Sequence, residues 1–165
     1  MTTRDLLVQQ FGMIYDIAAR NLEGMTHEHS LVQPRPSGNC ANWILAHLVS
    51  VHNGVMQAAG AEPVWESDEL ARVRFDPIRG PDDAVDWNTL RDRFLGSRAR
   101  CLAALSGLSD ESLAEEVPDP FGGTTTRAGL LSVLAVHQTY HMGQLGLSRR
   151  LAGLGGAIRG PGQPA

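Results

Sequence analysis

The 165-residue sequence contains no lysine; all 14 of its basic side chains are arginine. That absence excludes Schiff-base chemistry and any mechanism needing an amine side chain, and the arginine-only usage reads as a coding bias. Cysteine is scarce as well. Cys40 and Cys101 form neither a CxxC pair nor a zinc-ribbon spacing, so no disulfide framework or thiolate metal site is encoded. Both fall in helix-like stretches and are expected to be reduced, buried, small apolar residues. Aromatic residues make up only 5%. No apolar run approaches the roughly 18 residues that a membrane span requires. The opening MTTRDLLVQQ lacks the charged-then-apolar pattern of a secretory signal, so a cytoplasmic protein is expected. Positive charge is in deficit: 18 acidic residues against 14 basic ones give a net charge of −4, which speaks against nucleic acid as a partner. Convincing strand alternation and internal repeats are also missing.

What is present is helical periodicity. Apolar content of 42% with 19% charge is ordinary for one soluble domain with a real core. Thr2 and Asp5 make a capping box ahead of a first helix over 3–24, with Leu7, Phe11, Ile14, Ala18 and Leu22 on one face. Pro34, Pro36 and Gly38 close off the segment that follows. A second helix spans about 39–59 with an inward stripe of Cys40, Ile44, His47, Val51, Val55 and Ala58. Residues 60–85 form a long, proline-interrupted connection with a short possible helix near Glu66–Val73. Such a connection can run the length of a 20-residue helix, about 30 Å, so the second and third helices can lie parallel. The third helix covers about 86–107, with Trp87, Leu90, Phe94, Cys101, Leu105 and Leu108 inward and Arg91, Arg93, Arg98 and Arg100 on a solvated face. Ser109 caps a short acidic turn. A fourth helix over 125–152 carries an inward seam of Leu130, Val133, Leu134, His137, His141, Gln144, Leu147 and Leu151. The expected product is an all-α four-helix bundle over residues 1–152, with a long crossover between helices 2 and 3 and a flexible tail over 153–165.

Three histidines lie on the inward stripes: His47 in NWILAHL, and His137 and His141 in HQTYHMGQ. Residues four apart on a helix share a face, with Cβ atoms about 5–6 Å apart, a spacing at which two imidazoles can reach one ion. A buried imidazole without a partner is costly, and a shared divalent metal would satisfy all three; three separate core histidines bonded to carbonyls or water are the alternative. Three ligands leave coordination positions open. Gln144 shares the face of His137 and His141 and is a candidate hydrogen-bond partner to a ligand, or a polar contact within the bundle. Tyr140 flanks His141 and is read as packing or as a hydrogen-bond donor to the pocket. Trp43, one turn before His47, lines the pocket or fills the core. His52 lies about 140° around the helix from His47 and cannot easily face the same ion. His27 and His29 read as a solvated HEH loop.

NWILAHLVSVH and HQTYHMGQLGLSRRLAG resemble the DinB-like (DinB/YfiT-like) superfamily of bacterial metal-binding four-helix-bundle proteins, over roughly residues 5–152. The resemblance implies an up-down-down-up bundle, a zinc or nickel ion held by His47, His137 and His141, and pairing as a homodimer. Characterised members of that family include thiol S-transferases using a low-molecular-weight thiol of the bacillithiol or mycothiol type, while many members have no assigned reaction; by that analogy a metal-held thiolate would attack an electrophile. In the mycothiol-dependent isomerase branch of that family a carboxylate replaces one histidine; this chain has histidine at all three positions. No carboxylate on the seam is an obvious general base, which favours thiol transfer over a metal-dependent hydrolase. A non-enzymatic metal-binding stress or scaffold protein is the competing class.

Overall fold

The computed structural model describes residues 1–35, 38–65, 70 and 76–158. Helix α1 (Thr3–Leu22) starts at the expected capping box: Thr2 Oγ1 accepts from the Asp5 amide, and the Asp5 carboxylate accepts from the Thr2 amide. Its expected apolar face is buried, joined by Tyr15 and Asn21. Gly24, at φ 68°, makes the left-handed turn that frees the chain from α1. The segment MTHEHS, expected as loop, instead forms one helical turn, α2 (His27–Ser30), because Thr26 and His29 cap each other reciprocally.

Helix α3 (Ala41–Ala58) is buried without interruption from Ala41 to Val49, as expected of a helix covered on several sides. The crossover after it is fastened by side chains. Asn53 Oδ1 accepts from the Val64 amide, Trp43 Nε1 donates to the Asp76 carbonyl, and Asn42 bonds both the amide and the carbonyl of Val85. The helix expected near Glu66–Val73 lies outside the described residues, Leu70 excepted.

The expected third helix is divided into α4 (Trp87–Gly96) and α5 (Arg98–Ser106). The break falls at Ser97, whose hydroxyl donates to the Phe94 carbonyl at 2.6 Å and competes with the helical ladder. After α6 (Asp110–Ala114), a small antiparallel hairpin pairs β1 (Glu116–Pro118) with β2 (Thr124–Thr126), Val117 opposite Thr125. No strand was expected there, since three residues are too few to show alternation.

Helix α7 (Arg127–Leu151) is capped by Thr126, whose Oγ1 accepts from the Gly129 amide. Its buried residues are Leu131, Ala135, Gln138, His141, Met142, Leu145 and Ser148; His141 stands on the expected seam, the others lie one residue on from it, and Leu147 and Leu151 are exposed. The reason is that α7 packs against α1 and α3 at once, so burial centres on the line between them. Arginines hold α7 at both ends. Arg127 donates to the carbonyls of Ala58 and Ser112 and pairs with Glu115; Arg149 donates to the carbonyls of Asn21, Glu23 and Gly155. In the stretch after α7, the Gly155 carbonyl accepts from Arg149 and Leu154 packs against the core.

Cross-helix contacts set the directions. Arg4 reaches the Leu108 carbonyl while Trp87 reaches that of Met25, so α1 runs antiparallel to α4 and α5. Asn42 meets Val85 and His52 meets Phe94, so α3 and α4 are parallel. His47 meets His137 and Ala58 meets Arg127, so α3 and α7 are antiparallel. The bundle is therefore up-down-down-up, with α4 and α5 as one broken rod. Among the described residues no helix is long and apolar enough to cross a membrane.

Candidate metal centre

His47 sits in the middle of the buried run of α3, and His137 and His141 lie one turn apart on α7. Antiparallel packing of these helices aims the three rings at one point. The Nε2 atoms of His47 and His137 are 3.3 Å apart, those of His137 and His141 3.2 Å, and the three potential ligand atoms all lie within 4.8 Å of one another. Two nitrogens bound at about 2.0–2.1 Å to one ion at a tetrahedral angle would stand about 3.3–3.4 Å apart. The donor set and the close spacing of two of its pairs thus suit a divalent metal.

Tautomers and charge favour the same use. His141 Nδ1–H donates to Gln144 Oε1 at 2.6 Å, leaving the Nε2 lone pair facing the other rings. Gln144 Nε2 in turn donates to the Tyr140 hydroxyl at 3.1 Å. Burial pushes His141 down to about 4, with the nearby His137 and His47 rings acting in the same direction and the Gln144 bond against it. Burial also lowers His137. At neutral pH both rings are therefore uncharged. His137 Nδ1 is buried with no hydrogen-bond partner among the described residues.

The Trp43 ring is buried and stacks on His47 with centroids 4.9 Å apart and 6° between planes. Tyr140 is 64% exposed; it lies at the rim, touching His141 edge-on, rather than inside. His47 and His141 are buried and His137 is half-buried. No carboxylate or thiol joins the cluster among the described residues. Cys40 and Cys101 are buried free thiols, and burial pushes Cys101 up to about 11.

Sequence reasoning separated His52 from the triad but missed its role. Gln138 Nε2 donates to His52 Nδ1 at 2.8 Å, and His52 Nε2–H meets the Tyr15 hydroxyl at 2.6 Å. Tyr15 then donates to Ser97 Oγ at 2.7 Å, and Ser97 to the Phe94 carbonyl. The signal was Gln138 itself, a polar residue between Leu131, Ala135, Met142 and Leu145.

Among solved structures, a conserved protein from Enterococcus faecalis aligns with a TM-score of 0.69 at 19% identity, covering 92% of this chain and 98% of that one. YfiT from Bacillus subtilis, described as a probable metal-dependent hydrolase with an unusual four-helix bundle topology, aligns with a TM-score of 0.69 at 18% identity, covering 92% and 89%. These likenesses establish the fold. No match was found among curated protein sequences. The family profile of the DinB superfamily matches residues 13–145, most of the bundle with all three clustered histidines inside it. The chain therefore belongs to the DinB superfamily.

Proposed function

We propose that His47, His137 and His141 hold a catalytic divalent metal, zinc or nickel, and that the protein transfers a low-molecular-weight thiol of the bacillithiol or mycothiol type to an electrophile. The observation that carries this reading is the convergence of three imidazoles, with His137 Nε2 3.3 Å from His47 Nε2 and 3.2 Å from His141 Nε2. When bound, such a metal lowers the pKa of a coordinated thiol or water into the neutral range. The chain's residues supply the rest. Gln144 holds the His141 ring in the tautomer that presents Nε2. Trp43 closes the His47 side of the cluster to water. Tyr140 stands at the rim with its ring exposed to an entering substrate. The three histidines serve as ligands and not as bases. The absence of a carboxylate from the cluster among the described residues favours thiol transfer, since there is no evident base for a water nucleophile.

Hydrolysis is the second reading, favoured by the description of the B. subtilis neighbour as a probable metal-dependent hydrolase. The test is metal content by elemental mass spectrometry on untagged protein at neutral pH. It is followed by a screen of thiols with electrophiles and of ester and amide substrates. One ion per chain, lost in His141→Ala together with thiol-dependent turnover, is the expected result. Turnover that needs no thiol selects the hydrolase; loaded protein that turns over nothing selects a metal-binding scaffold. A native protein that takes up neither zinc nor nickel overturns the proposal. Homodimer formation is a separate proposal from the family resemblance, checked by light scattering.

A further inference from the structure

We infer that Gln138 and His52 are positioning residues of this centre: their hydrogen bond sets the register of α7 against α3, and so sets where His137 and His141 stand relative to His47. The inference rests on the metal reading above. Gln138 and His52 are both completely buried. Gln138 follows the first α7 histidine of the cluster directly, and His52 lies five residues beyond His47 on α3. The same helix pair thus carries two layers of cross-contact, one of imidazoles and one of a single amide–imidazole bond.

The second layer has a fixed direction. The Gln138 amide donates to His52, His52 to Tyr15, Tyr15 to Ser97, and Ser97 to the Phe94 carbonyl. The relay reaches from α7 through α3 and α1 to the α4–α5 break: His52, Tyr15 and Ser97 each give one proton and take one, while Gln138 Oε1 is buried with no partner among the described residues. Phe11 and Phe94 stand against the His52 ring and offer it no substitute partner. A one-residue slip of α7 moves a side chain about 1.5 Å along the axis and about 100° around it. That withdraws Gln138 from His52 and strands buried polar groups in an aromatic shell. Apolar contacts tolerate small slips; a single buried polar pair does not, which is how such pairs specify register. The relay therefore does for ligand placement what the leucines around it cannot.

The test compares Gln138→Met, which keeps bulk and loses the bond, with Leu131→Ala, which loosens the α7 core without touching the relay. Cobalt(II) affinity by chelator competition and the cobalt d–d spectrum are read beside the thermal midpoint of the metal-free proteins. Gln138→Met is expected to bind cobalt about 10–100-fold more weakly, with an altered spectrum. Leu131→Ala is expected to lose thermal stability yet bind within about twofold of the native protein. If Gln138→Met does not fold, Tyr15→Phe cuts the relay one link further on, and the same weakening is expected of it. Native affinity and spectrum in the relay variant, or equal weakening in Leu131→Ala, overturns the inference alone. Native protein that binds no cobalt overturns it together with the metal reading.

Discussion

Mild acid should destabilise this bundle well before its surface carboxylates titrate, and His52 sets the size of the effect. In the folded chain, burial holds the ring down at about 4 against an ordinary 6.5. Above pH 6.5 the ring is neutral in both states and contributes no pH dependence. As pH falls through 6.5 the unfolded chain takes up a proton that the folded chain refuses until about 4. In that window the unfolded state binds more protons, so stability falls as pH falls, and the loss is complete below it. At about 1.4 kcal/mol per pKa unit, the shift corresponds to a loss of about 3 kcal/mol, a large share of a typical 5–15 kcal/mol. His141 acts in the same direction, so the measurement is a difference. Guanidinium unfolding is followed in chelator between about pH 7 and pH 4.5 for the native protein and for His52→Gln, which cannot titrate. The native protein should lose about 2–3 kcal/mol more than the variant across that range. Exposed Asp5, Asp16 and Asp86, held below the usual carboxylate range by their hydrogen bonds, do not enter the difference. Parallel curves for the two proteins would refute the reasoning.

Three further outcomes follow from other parts of the fold. Asn42→Ala should cost about 2–4 kcal/mol in denaturant unfolding, because it leaves the buried amide and carbonyl of Val85 without the partners that hold the crossover to α3. Gly146→Val should destabilise by about 1–3 kcal/mol: a Cβ there already stands 3.3 Å from Asn21 Oδ1, and the bulkier side chain must displace an amide that also bonds the Met142 carbonyl. Adding zinc at about 100 times its dissociation constant should stabilise the native protein by about 2.7 kcal/mol and leave His141→Ala unmoved, a contrast that thermal scans with and without chelator will show.

Much of this architecture was legible in the sequence where one helix meets one neighbour. The α1 face from Leu7 to Leu22 is buried as its spacing requires, and the histidine cluster followed from one HxxxH pair and one histidine on another stripe. The reading slipped where a helix meets two neighbours. On α7 the leucines at 130, 134, 147 and 151 outline a seam, yet burial is centred one residue on, because the line between α1 and α3 decides it. That shift hid Gln138, since a polar residue counts against a stripe unless its partner is known. Its partner, His52, is 86 residues away, and no local pattern couples them. The α4–α5 break and the hairpin were hidden for a different reason: one serine hydroxyl turned back on its own helix, and two strands of three residues each.

The two arginines that hold α7 have a consequence for the order in which the bundle comes apart. Arg127 and Arg149 each gather carbonyls from separate segments, a task that suits a forked guanidinium with several donors and would defeat an ammonium with one charged tip. A guanidinium keeps its charge at every pH a protein survives. The helix is thus riveted at its two ends by guanidinium-to-carbonyl bonds in which no imidazole takes part, while its middle depends on imidazoles that must stay neutral. Acid should therefore open this molecule from the centre outward, with the histidine layers parting while the ends of α7 stay pinned.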